Sequence, residues 1–87
     1  MSKKPHLVRV EWVDSTAHSG WRSKKDIEEA QLITCHSVGW LLHWGKDAVK
    51  LGATHDTKTD PEWNDCQSIP RSCVVRVRRL EEKKRHE

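Results

Sequence analysis

Three cysteines and six histidines are the residues of this sequence that could bind a metal ion. A structural zinc site needs thiolates and imidazoles, usually supplied as close pairs such as C-x2-C or H-x3–5-H. Cys35 and His36 are adjacent, and adjacent side chains of a strand point to opposite faces. A site built from Cys66, Cys73 and His55 would lack the close spacing. The sequence therefore predicts free thiols, with no metal site and no cofactor.

A catalytic nucleophile is equally hard to place in this sequence. A reactive cysteine or serine needs a base within hydrogen-bond reach and a strained or helix-terminal setting. Cys35 falls in the middle of a predicted strand and Cys73 at the start of another. The chain also lacks a G-x-S-x-G motif and a glycine-rich phosphate loop. We therefore predict that the protein is not an enzyme.

Tryptophan and arginine are the residues best suited to a binding role here. Both are enriched among the residues that dominate protein interfaces, and the chain has five tryptophans. Trp12 and Trp40 are predicted to lie in the core, whereas the other three fall in loops or turns. The candidate binding residues are Trp21, Trp44, Trp63, Arg71, Arg76 and Arg78.

The charge distribution adds nucleic acid as an alternative partner. The net charge is +3, with arginines and lysines concentrated after residue 75 and carboxylates between residues 45 and 65. Basic side chains release counterions from phosphates, and exposed tryptophans such as Trp21 and Trp44 can stack on bases. The alternative interpretation of the basic residues is an edge strand protected by charge and a solvated tail.

The first elements follow from alternation and capping. Val8, Val10 and Trp12 share one face of a predicted strand over residues 7–13. Ser23 and Asp26 have the spacing of a capping box, which predicts a helix over residues 24–30 with Ile27 as its apolar anchor.

The central region predicts a β-hairpin. Residues 31–44 form a long strand in which Gly39 marks a bulge or bend. Residues 48–53 return antiparallel to it, and residues 55–65 form a polar surface loop that exposes Trp63.

The last elements complete a small sheet. Residues 69–72 predict a turn and residues 73–80 a final strand, whose inward positions are Cys73, Val75 and Val77. Five short strands with a one-turn break before the last favour a mainly β fold, a small SH3-like or Sm-like barrel with one short α-helix between the first two strands. We predict a flexible N-terminus (1–6), one domain (7–80) and a charged, disordered tail (81–87).

Length and hydropathy limit where the protein acts. The chain of 87 residues has room for one core. It contains no apolar run near the roughly 20 residues needed to cross a bilayer, and its N-terminus has no apolar stretch of secretory length. An odd number of cysteines argues against a disulfide framework. The expectation is a cytoplasmic protein without membrane contact.

Three segments of the sequence are distinctive: SVGWLL at residues 37–42, the return strand led by Asp47, and IPRS at residues 69–72. With these segments the chain resembles short proteins encoded in tailed-phage and prophage genomes. The resemblance covers about residues 7–80 and implies a phage accessory protein with a small barrel in the cytoplasm of a bacterial host. A looser similarity is to Sm-type barrels, whose RNA-contacting motifs are not evident here.

Together these features predict a non-enzymatic phage or prophage binding protein that acts stoichiometrically on a host or phage protein, as an inhibitor or counter-defence factor. The alternative is a nucleic-acid-binding module of phage replication or transcription that uses the basic last strand and exposed tryptophans. Homo-oligomers are compatible with exposed barrel edges.

Overall fold

The computed structural model describes residues 4–14 and 20–81. These residues form one antiparallel sheet with the strand order β4-β3-β2-β1-β5. Its elements are β1 (Leu7–Asp14), α1 (Lys24–Glu29), β2 (Ile33–Trp44), β3 (Ala48–His55), β4 (Trp63–Pro70), a 3-10 turn (Arg71–Cys73) and β5 (Val74–Arg79). The mainly β prediction is confirmed. The predicted flexibility of segments 1–6 and 81–87 falls mostly outside the described residues and stays a prediction.

The core lies on one face of this sheet, which we call the inner face. It consists of five buried aliphatic side chains: Val8, Val10, Val49, Leu51 and Ile69. Trp12 packs against this cluster, and its indole Nε1–H donates a hydrogen bond to Ser37 Oγ at 2.9 Å. The alternation of β1 therefore predicts the inner face correctly, because an even spacing keeps side chains on one side of a strand.

The hairpin of β2 and β3 is confirmed, but its bulge is not at Gly39. Leu41 pairs with Leu51 and His43 with Lys50, so Leu42 is the additional residue on β2. Gly39 instead permits a close approach of strands, since a Cβ there would lie 3.0 Å from the Gly52 carbonyl oxygen. Gly39 is therefore required for the close packing of β2 against β3. The change of register between these strands occurs three residues later, at Leu42.

Two predictions in the second half of the chain are wrong. The predicted loop over residues 55–65 contains strand at both ends, because β3 continues to His55 and β4 begins at Trp63. Val75, predicted to face inward, is 57% exposed. The register of β5 shifts where Glu11 pairs with Arg76 and Trp12 with Val74, so Val75 is the additional residue and loses its inward position.

Helix α1 begins as the capping pattern predicts. The Asp26 backbone N–H donates to the Ser23 side-chain oxygen at 3.1 Å. Ile27 is nevertheless 63% exposed and the helix has no buried residue, so the prediction of an apolar anchor is wrong. Residues 20–32, which we call the arm, are exposed throughout, and the helix is closed by hydrogen bonds within residues 23–30.

Within the described residues the sheet is open, with β4 and β5 as its two edges. The 3-10 turn between these edge strands packs against both β1 and β3. The Arg71 backbone N–H donates to the Asp47 carbonyl at 2.9 Å. The 3-10 turn thus joins the two edge strands and lies close to β1 and β3.

Candidate binding surfaces

Three arginines lie together on the outer face of the sheet. Arg9 of β1 is directly opposite Arg78 of β5, and Arg76 is opposite Glu11. These side chains and His36 line a shallow depression of about 100 Å³. We call Arg9, Arg76 and Arg78 the arginine patch.

Positive charge in the patch is only partly compensated. Of the residues lining the depression, Glu11 alone is a carboxylate, and its Oε1 lies 3.2 Å from His36 Nε2. Like charges directly opposite on neighbouring strands destabilise a sheet, and Arg9 and Arg78 form such a pair. Side chains of this type at this spacing favour an anion that the guanidinium groups can share.

An aromatic groove lies beside the patch. It has a volume of about 520 Å³ and is lined by three aromatic rings, by Lys4 and Pro5, and by the loop of residues 56–61. The rings are in mutual contact: the centroid of Trp40 is 4.9 Å from that of His55 and 5.8 Å from that of Trp63. No flat ligand fits between rings this close. Their exposed faces and edges can instead form a wall against which a planar or apolar group packs.

The loop at the rim of the groove is acidic. Lys58 contacts Asp56 at 3.5 Å and Glu62 at 3.7 Å, while Asp60 adds a further negative charge. The aromatic groove therefore combines an apolar wall with hydrogen-bond acceptors, the usual composition of a ligand site.

The patch and the groove are adjacent on the same face. Arg9 pairs with Val38 and Leu7 with Trp40, which makes Arg9 and Trp40 diagonal neighbours across β1 and β2. Side chains in this relation are about 7–8 Å apart. Arg79, next along β5, is engaged elsewhere, since its Nη2 lies 2.9 Å from a ring nitrogen of His6.

The structure places the predicted site residues in four different parts of the molecule. Arg76 and Arg78 lie in the arginine patch, and Trp63 lies in the aromatic groove at the start of β4 rather than in an exposed loop. Trp21 lies in the arm and is fully exposed.

Trp44 and Arg71 contact each other. The Arg71 Cζ lies 3.7 Å from the Trp44 ring centroid, and Arg71 Nη1 donates to the Gly45 carbonyl at 3.4 Å. This cation–π pair ties the 3-10 turn to the β2–β3 turn. Both residues are therefore occupied in holding the fold, although Trp44 remains 47% exposed.

Three residues of the candidate surfaces were missed from the sequence. Arg9 could have been identified from the alternation of β1, because that pattern places it on the outer face, where it lies beside the arginines of β5. Trp40 was assigned to the core because it lies in an apolar run, yet it faces the groove. His55 was assigned to a loop, and nothing in its local sequence indicates its contact with Trp40.

The thiols do not gather into a site in the described part of the chain. All three cysteines are free; Cys66 is exposed and the other two are half-buried. Across residues 4–14 and 20–81, no three side chains of His, Cys, Asp or Glu are close enough together to hold a metal ion.

No family model, curated protein or solved structure matches this chain. In the described residues, α1 is far too short and polar to span a membrane, and no other helix is a candidate for doing so.

Proposed function

We propose that the protein is a non-enzymatic binding protein that associates stoichiometrically with another protein through its arm. The observation that carries this proposal is the distribution of apolar side chains. Among the described residues, seven large hydrophobic side chains are exposed and only five hydrophobic side chains are buried. Four of the seven lie in or directly after the arm: Trp21, Ile27, Leu32 and Ile33.

These four side chains are well placed to act as anchors. Burying a large apolar side chain contributes about 1.5–3 kcal/mol, and tryptophan is the residue most enriched among interface hot spots. The arm contributes little to the core, so its apolar residues have no evident role within a single chain. A partner protein with an apolar cleft would bury them.

The class of partner follows from the resemblance to phage and prophage proteins. We propose a host or phage protein in the cytoplasm of a bacterium, which this protein occupies as an inhibitor or counter-defence factor. The strand pattern also supports a small SH3-like or Sm-like arrangement, because a long bent strand and a one-turn break before the last strand are both present.

Pull-down from bacterial lysate, with and without nuclease, identifies the partner, and titration of that purified partner measures its affinity. Trp21→Ala should weaken binding by about 2 kcal/mol or more, roughly 30-fold. Val75→Ala is the matched control, since this residue is also apolar and exposed but lies outside the arm. Capture that disappears with nuclease, or equal binding by Trp21→Ala and wild type, would contradict the proposal.

A further inference from the structure

We propose that the outer face of the sheet binds single-stranded nucleic acid, with phosphates on the arginine patch and bases against Trp40 and Trp63 in the aromatic groove. This site is separate from the arm, and the inference does not depend on the partner protein. For base stacking it uses Trp40 and Trp63, whereas the sequence indicated Trp21 and Trp44 for that role.

The phosphate part of the site rests on guanidinium groups that form no ion pair within the described residues. Every ion pair of the described residues involves a lysine or His36, and none involves an arginine of the patch. The fork of a guanidinium group matches two oxygens of a phosphate. A phosphate between Arg9 and Arg78 would convert a repulsive cross-strand pair into two charge-assisted contacts.

The base part of the site rests on Trp40 and Trp63. Both rings are half-buried, so they are held in place by packing and still present a surface to the groove. Stacking of a base on an aromatic side chain tolerates any base, because every base has a π-face. The volume of about 520 Å³ is within the range of small-ligand pockets.

The spacing of the two parts suits one nucleotide. Arg9 and Trp40 are diagonal neighbours, which places them about 7–8 Å apart and somewhat closer at the Cβ atoms. A nucleic acid chain whose phosphate binds Arg9 can therefore place the attached base on Trp40 without distorting the sheet.

The charges around the site favour one orientation of the bound nucleic acid. The loop that borders the groove has three carboxylates (Asp56, Asp60 and Glu62) and one lysine, Lys58, which pairs with Asp56 and Glu62. Its net negative charge disfavours phosphates, although Lys4 is a second cation that lines the groove. Bases are uncharged, and carboxylates accept hydrogen bonds from amino groups such as N4 of cytosine. The backbone is thereby kept on the arginine side and the bases on the acidic side.

Duplex nucleic acid does not meet these requirements. Its bases are stacked inside the helix and reach a protein pocket only after unstacking, which costs a few kcal/mol. The outer face should bind a duplex through the arginines alone and therefore more weakly than a single strand.

The test is fluorescence anisotropy of a labelled oligo(dC) about 12 nucleotides long, within the usual range of site sizes for such grooves. With three arginine contacts, log K should fall against log salt with a slope of about −2, and Arg78→Ala should reduce the slope to about −1.4. Trp63→Ala should weaken binding about 5- to 150-fold, and Trp63→Phe should retain most of it. The matched control is Lys24→Ala in the arm, which removes one positive charge outside the arginine patch and should leave affinity and slope unchanged.

Circular dichroism of each variant establishes that the sheet is intact. If Trp63→Ala does not fold, the affinities of the wild-type protein for a single strand and for a duplex of equal length still decide, because the proposal requires tighter binding of the single strand. Equal affinity for the duplex, binding unaffected by Arg78→Ala, or the absence of measurable binding at low salt would overturn the proposal.

Discussion

The position of Trp63 depends on the absence of a side chain at Gly52. A Cβ at Gly52 would lie 2.7 Å from Cε3 of Trp63 and 2.9 Å from Cδ1 of Leu42. The leucine methyl can rotate away, whereas the indole ring is held by contacts with Trp40 and His55. Gly52→Ala should therefore displace the ring and disturb the aromatic groove without altering the core.

The size of the effect follows from two opposing contributions. Overpacking costs about 1–3 kcal/mol, and replacing a strand glycine by alanine recovers about 0.5–1 kcal/mol of backbone entropy. We expect Gly52→Ala to lower the free energy of unfolding by roughly 0.5–2 kcal/mol, measured by urea denaturation with circular dichroism. Binding of oligo(dC) should weaken as it does in Trp63→Ala.

A double-mutant cycle separates the clash from other effects of the new methyl group. In a Trp63→Ala background the ring is gone, so Gly52→Ala should be neutral or stabilising by up to about 1 kcal/mol. An equal loss of stability in both backgrounds would show that the indole does not lie over Gly52 and would refute this reasoning.

Three further predictions concern the core, the turn and the arm. Ile69→Ala should lower the free energy of unfolding by about 2–5 kcal/mol in urea denaturation, because Ile69 is only 1% exposed and belongs to the core; a loss below 1 kcal/mol would contradict its burial. Arg71→Ala should cost about 0.5–1 kcal/mol by the same assay and should change the fluorescence of Trp44, since the cation–π pair is partly exposed. An unchanged spectrum would argue against that contact. Ser23→Ala removes the cap of α1 and should reduce helical circular dichroism while leaving the thermal midpoint unchanged; a fall in the midpoint would mean that the arm packs against the sheet.

Regular alternation made part of this fold predictable. β1 places Val8 and Val10 inward and Arg9 outward, and both consequences follow from a period of two. The same rule failed in β5, because Val75 is an additional residue in its pairing with β1. Before this bulge the inward position is Val74 and not Val75. A bulge is set by pairing with another strand, which the local sequence does not encode.

Strand β4 was not predicted from the sequence, for a different reason. As an edge strand it buries only Ile69, so its sequence is polar and resembles a loop. Pro70 at its end agrees with an edge position, where a missing backbone donor costs little. A strand with one buried residue leaves almost no hydrophobic periodicity to detect.

The side-chain contacts within the candidate surfaces could not be predicted from the local sequence. Trp44 and Arg71 are 27 positions apart, and their stacking arises only when the 3-10 turn meets the β2–β3 turn. The aromatic groove likewise joins Trp40, His55 and Trp63 from three strands. Residue types indicated binding, while long-range pairing determined which residues act together.

The inner face, the outer face and the arm are three separate surfaces of the molecule. The most direct test of this division is an NMR titration that follows the indole N–H signals of the five tryptophans. On addition of oligo(dC), the signals of Trp40 and Trp63 should shift and saturate together. The signal of Trp12, whose N–H donates to Ser37, and that of Trp21 in the arm should stay in place. Uniform shifts of all five signals, or a shift of Trp21 alone, would contradict this division of the molecule.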